Sequence, residues 1–590
     1  MRREGQVKQQ NRWRELALVT GQRLSRVAPG LVWMRAYDRA WLRSDLIAGV
    51  TVAAVILPVA MAYGQLAGLP PVTGIYASML PLVAYALFGS SRRLILGPDA
   101  ASAALVAAAV IPLAGGSVER YAALAALLAI VTGALCLVAG VARLGFIASF
   151  LSKPILVGYM NGLALTVIAS QLPTILGIPV NGSGFFTELG QTLTGLGRTH
   201  VLTLVIGVSV IAVVWLLRRY APRVPGPLLA VAGATIVVIV WNLDSYGVAV
   251  IGAIAPGLPT LGLPGVTLGD AGRLLGDALG IALLTFSDTI LNARTFAARQ
   301  GDHIRPSQEL IGLGVANAVA GLSQGFPIGA SGTRTAVNEA AGGKTQLTSI
   351  VAAASLALML LFLTDPLSKF PKAALAALLI VAASQIFDMG TLRLLAKGDR
   401  RELFIALIAL IGVLTVGLLQ GIVLAILMSL LLLLARTVRP HDAVLGAVEG
   451  VDGFQDVEEF PEGDTVPGLI VYRFDAPLFF ANADYFQRRV FTLLDEAMSP
   501  VAWFLLDAEA ITDIDSTAAE MLDNLRRDLA SKGIALVIAR AKHPLRRRMR
   551  RLGLFDKIGS DRFYASIRSA VAAFDARRSR ETDATPPKGV

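Results

Sequence analysis

Charge is scarce in this chain. Of 590 residues only 16% are Asp, Glu, Lys or Arg, while 55% are hydrophobic and the mean hydropathy is +0.63. A typical soluble domain carries about 25% charged residues. The shortfall excludes a wholly soluble protein and puts much of the chain in lipid. Cysteine is scarcer still. Cys136 stands alone in an apolar run. That excludes a disulfide framework, and the residue reads as a small buried hydrophobe. Four histidines and one cysteine give little material for a metal site. The chain also lacks a P-loop, so neither ATP hydrolysis nor another enzymatic activity is expected, and no cofactor. Arg2 to Arg43 holds ten arginines and lysines and no early apolar core, so no signal peptide is expected. The net charge of +11 does not point to nucleic acid. The basic residues sit in short loops between apolar runs, as they do when they orient a membrane protein.

Apolar runs fill residues 44–438. Twelve are clear, beginning near Asp45, Val72, Tyr121, Phe146, Val201, Pro227, Leu275, Leu310, Leu347, Ala373, Leu403 and Gly421. Two more, Asp99 to Ala114 and Thr333 to Gly343, fall short of the roughly 20 apolar residues that a crossing needs. Together they predict fourteen segments. Loop charge tests the count. With the N-terminus in the cytoplasm, the predicted inner loops hold seventeen arginines and lysines, including Arg223 and Arg299, and the outer loops five. Removing either short segment inverts the intervening loops and spoils the alternation.

The halves resemble each other. Each runs long, long, short, then four long segments, and Val167 to Leu172 matches Val381 to Ile386 in the fifth segment of each. Seven is odd, so the second half is inverted relative to the first. Short segments at matching positions point to a transporter binding site. After Pro440 the composition changes. Strands at Leu469 to Phe474, Trp503 to Leu506 and Ile534 to Ile538 alternate with helical patterns, which predicts an α/β domain over 454–574. The polar stretch 577–590 reads as a disordered tail and 1–43 as a basic cytoplasmic arm.

Gly97-Pro98-Asp99-Ala100-Ala101-Ser102 opens the first short segment. Pro327 to Thr335, containing Ser331-Gly332-Thr333-Arg334-Thr335, opens the second. Small residues and prolines admit extended chain to the membrane interior, where it survives only inside protein or beside water. Each half-helix then aims free N–H groups and about half a positive charge inward. Two such ends make an anion site, with Ser102, Thr333 and Thr335 as hydroxyl donors. The plainer reading is a structural kink with the hydroxyls as caps. Arg334 carries a full charge near mid-membrane, at a cost of roughly 2.5 to 3.5 kcal/mol. Its partner is a bound anion or a carboxylate such as Asp288, inside the eighth segment. Asp288 reads as a proton or sodium carrier or as that salt-bridge partner. Asp99 reads as an N-cap or as a second proton carrier.

These residues resemble a known family. Leu57-Pro58-Val59-Ala60-Met61-Ala62-Tyr63 and Ala67 to Ser78 resemble the signature of the SulP anion permeases. Gly342-Gly343-Lys344-Thr345-Gln346-Leu347 resembles their stretch after the tenth segment, and the C-terminal domain resembles their STAS module. The resemblance implies a polytopic α-helical fold with a seven-plus-seven inverted repeat, a cytoplasmic STAS domain and a homodimer in the cell membrane. Segments 1–4 and 8–11 would form a mobile core, in an elevator-like mechanism. Substrate would lie between segments 3 and 10, against Tyr63, Ala101, Ser102, Thr333, Arg334 and Thr335, with Asp288 contributed by segment 8. Val59 stands where many members carry glutamine.

In related STAS folds a serine after an aspartate is phosphorylated, and Ser516 after Asp515 holds that place; it also reads as a plain N-cap. Arg546 to Arg551 reads as a solvated face or as a contact for anionic membrane lipid. The leading expectation is secondary transport of a small inorganic anion, sulfate by default. Bicarbonate, chloride or dicarboxylate transport, an anion channel, a nucleobase permease and a STAS-based signalling scaffold are the alternatives.

Overall fold

The structure, a computed structural model, describes residues 28–583 apart from 31–33, 35–36, 146–152, 181–183, 222–223, 255–256, 299–303, 399, 449, 452 and 462. Most of the basic N-terminal arm, Arg223, Arg299 and positions 584–590 of the tail therefore lie outside the described residues. The chain divides into two compact units, 1–429 and 430–590.

The apolar runs are helices, because in hydrocarbon a helix pairs its own N–H and C=O groups. Segments 1 to 7 are Leu42–Leu66, Pro71–Phe88, Ala100–Ala114, Val118–Val141, Lys153–Leu176, Val201–Tyr220 and Gly226–Val240. Segments 8 to 14 are Leu268–Ala298, Pro306–Leu322, Gly332–Ala340, Leu347–Phe362, Lys372–Ile386, Arg400–Thr415 and Leu418–Val438. Among the described residues, seven helical stretches are long and apolar enough to cross a membrane by length and composition. Segments 3 and 10, with 15 and 9 residues, are half-helices. At ~1.5 Å per residue they span about 22 and 14 Å, short of a hydrocarbon core of ~30 Å. The helices Phe185–Thr194, Thr364–Ser368 and Met389–Gly398 lie between segments, where sequence reading anticipated loops.

Packing carries the inverted repeat. Segment 1 packs on 2 and segment 8 on 9; 1 packs on 11 and 8 on 4; 2 packs on 11 and 9 on 4; 1 packs on 10 and 8 on 3. Each pair becomes its mate when the halves are exchanged. Segments 5, 6, 12 and 13 pack on one another by the same exchange, 5 on 13 and 6 on 12. Segments 4 and 9 meet through glycine. A Cβ on Gly133 would lie 2.6 Å from the Gly314 carbonyl oxygen, and one on Gly314 would lie 2.8 Å from that of Gly133. Only bare backbone fits there.

The second unit carries a six-stranded sheet. Its strands are β3 Asp442–Ala447, β4 Phe454–Asp456, β5 Leu469–Phe474, β6 Trp503–Asp507, β7 Ala535–Ala539 and β8 Phe563–Tyr564, in the order β4-β3-β5-β6-β7-β8. β5 to β8 are parallel, and β3 joins antiparallel. Helices α1 Ala483–Asp495, α2 Ser516–Ser531 and α3 His543–Arg551 match the helical patterns; α4 Leu554–Ile558 and α5 Ile567–Asp583 follow. Tyr472, Phe474, Phe486 and Phe504 form a fully buried aromatic centre. The expected tail from Arg577 is corrected, because α5 runs to Asp583. Arg and Glu are good helix formers, and the first proline comes only at Pro586.

Two buried carboxylates tie the membrane unit together. Glu309, fully buried at the start of segment 9, accepts from the Tyr85 hydroxyl at 2.6 Å, from Ser90 N and Oγ at 2.9 and 2.5 Å, and from Ser91 N at 3.0 Å. Asp45, in segment 1, accepts from Lys344 N and Thr345 Oγ1, both at 2.6 Å. Each acid fastens a segment start to a turn more than two hundred residues away. Glu309→Ala strands four donors, two of them buried and two on half-buried Ser90, and it should lower unfolding stability by about 3 kcal/mol. Glu309→Gln should cost less. Detergent-solubilised protein that melts as wild type in both variants would contradict this role.

Candidate anion site

Two short strands position the site. β1, Leu96–Gly97, pairs antiparallel with β2, Gly329–Ala330, with Gly97 opposite Gly329 and Leu96 opposite Ala330. Ser331 N donates to the Ile95 carbonyl at 3.0 Å. The half-helices begin within three residues of these strands, so both N-termini start from one crossing. Each is capped. Asp99 accepts from Ser102 N at 2.8 Å and from Ser102 Oγ at 2.7 Å, which is the N-cap geometry. Ser331 Oγ accepts from Arg334 N at 3.3 Å.

The paired glycines let each half reach the other. Gly97 has φ +150°, and a Cβ there would strike Arg334 Nη1. A Cβ on Gly329 would lie 2.7 Å from Asp99 Oδ2. The guanidinium of the second half thus lies over the strand of the first, and the carboxylate of the first lies against the strand of the second. Arg334 is 3% exposed. Its Nη2 donates to the Pro98 carbonyl oxygen, and its Nη1 has no hydrogen-bond partner among the described residues. Neither terminal nitrogen is given to Asp288, so the expected salt bridge is not formed.

Asp288 nevertheless belongs to this region. Thr285, three residues earlier on the same helical face, comes within 3.4 Å of a Cβ placed on Gly329, and Asp99 is the charged neighbour of Asp288. Tyr63, buried in segment 1, has Arg334 and Asp99 as its charged neighbours. Ala101 and Ser102 are buried at the start of segment 3, and Thr333 is exposed at the start of segment 10. Two expected anion donors are already engaged. The Ser102 hydroxyl donates to Asp99. The Thr335 hydroxyl donates to Ser331 O at 2.7 Å and accepts from Ile95 N at 3.0 Å, which pins β1 to segment 10. Near the N-cap a short hydroxyl reaches backbone more readily than it reaches a guest. Arg334 Nη1 is a buried donor at the crossing that has no partner among the described residues.

Buried amides, which the sequence reading did not single out, hold both approaches. Asn317 receives Ile328 N at 2.9 Å, Asn338 donates to Arg93 O at 2.8 Å, and Gln346 donates to the Ser91 and Leu94 carbonyls at 2.9 Å each. Their signal in the sequence is a polar side chain inside an apolar run. In the second unit the cap of α2 is Asp515, which accepts from Ala518 N at 2.8 Å. Ser516 is the first helical residue and is exposed, so its reading as the cap is corrected.

Residues 42–409 match the sulfate permease family and residues 461–570 match the STAS domain. The chain belongs to the sulfate permease family. It is 47% identical to a probable sulfate transporter of Mycobacterium tuberculosis, over 93% of this chain and 98% of that one. It is 30% identical to probable sulfate transporter 4.2 of Arabidopsis thaliana, over 94% of this chain and 85% of that one. The fold is that of the murine solute carrier 26 family member A9 anion transporter, at a TM-score of 0.87 over 95% of each chain and 21% identity. This sulfate permease family member is thus a multi-pass membrane protein of an anion-transporter family with a C-terminal STAS domain.

The crossing brings together a buried cation and the N-termini of two half-helices. Arg334→Ala should abolish saturable anion binding while the protein stays folded. The check is calorimetric titration of purified protein alongside its melting curve; unchanged affinity would place the anion elsewhere.

Proposed function

We propose that this permease is a secondary active transporter that carries a small inorganic anion, sulfate by default, held between the N-termini of segments 3 and 10. The observation that carries this is the buried Arg334 guanidinium with one nitrogen unpartnered among the described residues, lying over the Gly97–Gly329 crossing. A cation taken out of water is retained at a cost of several kcal/mol, and an anion at the crossing offsets that cost. The names of the Mycobacterium and Arabidopsis relatives favour sulfate.

The packing supports an elevator-like movement. Segments 1–4 and 8–11 pack mainly among themselves and carry the site, and segments 5, 6, 12 and 13 form a second group. The basic inner loops support a cell-membrane protein with its N-terminus and STAS domain in the cytoplasm, and family resemblance supports a homodimer. Asp288 and Asp99 are the groups to couple a proton or sodium ion to the anion, as in symport. Bicarbonate, chloride or dicarboxylate would use the same site, and so would an anion channel. A STAS-based scaffold would lose its phenotype when residues 440–590 are deleted, whatever happens to transport.

Two experiments test this reading. Proteoliposomes should accumulate labelled sulfate saturably and against a gradient; no saturable uptake of sulfate, bicarbonate, chloride or dicarboxylate would end the proposal, and downhill flux alone would make the protein a channel. Second, Asp288→Asn should flatten the pH dependence of uptake. Dependence retained in that variant would exclude Asp288 as the proton carrier.

A further inference from the structure

Segment 5, which packs on segment 3, holds a buried polar group that the reading above does not use. Tyr159 is 1% exposed, and its hydroxyl is buried with no hydrogen-bond partner among the described residues. The same turn satisfies its other polar side chain: Asn161 donates to Val157 O at 2.8 Å and accepts from Asp388 N at 2.8 Å. Segment 5 packs on segment 3, and the charged neighbour of the Tyr159 hydroxyl is Asp99, the cap of segment 3. Asp99 itself is taken up by Ser102 through both carboxylate oxygens.

A buried hydroxyl without a partner is costly, and phenylalanine would fill the same space without that cost. Arg334 Nη1 is in the same condition. Both groups are donors, and the guanidinium can only donate. A guest with two or more acceptor oxygens can satisfy both donors at separate atoms.

We propose that the Tyr159 hydroxyl, supplied by segment 5, is a specificity-determining donor to the anion held between segments 3 and 10. The proposal rests on the anion-site reading above and deepens it. Arg334 comes from the group of segments that carries the site, and Tyr159 comes from the group it packs against. A polyatomic oxyanion can take both donors on different oxygens. A halide offers one atom and depends mainly on the guanidinium. Tyr159 therefore adds to affinity for oxyanions, and only while the two groups are apposed as they are here.

The test is calorimetric titration of the purified full-length chain with sulfate and with chloride, each alongside a melting curve, for wild type, Tyr159→Phe and Arg334→Gln. Tyr159→Phe should bind sulfate about tenfold more weakly, bind chloride within about twofold of wild type, and melt at the same temperature or higher. Arg334→Gln should lose both anions. If Tyr159→Phe binds sulfate like wild type while Arg334→Gln does not, the Tyr159 proposal is overturned and the anion site stands. A lower melting temperature for Tyr159→Phe would make the hydroxyl structural and would also overturn it. Wild type that binds neither anion, or variants that both bind like wild type, would overturn the site and the proposal together.

Discussion

A guanidinium taken out of water is the constraint on which the membrane unit turns. Arg334 is 3% exposed, and it keeps its charge across the physiological range because arginine does not lose its proton there. A charge in that position has to be met by dipoles or by a counter-ion. The protein supplies the Pro98 carbonyl dipole and the nearby Asp99 carboxylate, and leaves Nη1 without a hydrogen-bond partner among the described residues. Gly97 is bare because the guanidinium occupies the place of its side chain. The two-residue pairing of β1 with β2 then holds that carbonyl and that glycine beneath the arginine.

The inverted repeat explains why the site is polarised. Asp99 and Ser331 are equivalent caps, and Ser102 and Arg334 are equivalent third residues of their half-helices. One half pairs an acidic cap with a serine, and the other pairs a neutral cap with an arginine. A symmetric scaffold therefore places one negative and one positive side chain across a crossing of two glycines. The helix ends add partial positive charge on both sides. Asp99 offsets part of the field at segment 3, so Arg334 decides the sign.

Much of this was legible in the sequence. The two short segments with their Gly-Pro and Ser-Gly approaches, the alternation of basic loops, and a lone arginine at the opening of a half-helix all follow from local pattern. What was not legible depends on pairs far apart in the chain. Glu309 finds Tyr85, Asp45 finds Lys344, and Thr335 finds Ile95 across more than two hundred residues, and no local pattern specifies such pairs. The commitment of Ser102 and Thr335 to neighbouring groups was likewise hidden, because a hydroxyl reads the same in sequence whether it is spent or free. The Asp515 cap shifted by one residue from the expected Ser516, since both residue types serve as caps and adjacent choices differ only in backbone geometry. Tyr159 went unread because a tyrosine in an apolar helix looks like core until its hydroxyl is seen to lack a partner.

Transport by this fold depends on where the anion sits. Cryo-electron microscopy of the protein in lipid nanodiscs with selenate, a heavier tetrahedral oxyanion, tests that position most directly. A compact density is expected beside Arg334 at the N-termini of segments 3 and 10, absent from a sample prepared with a bulky organic anion. Selenate density elsewhere in the membrane unit, with the Arg334 surroundings unchanged between the two samples, would contradict it.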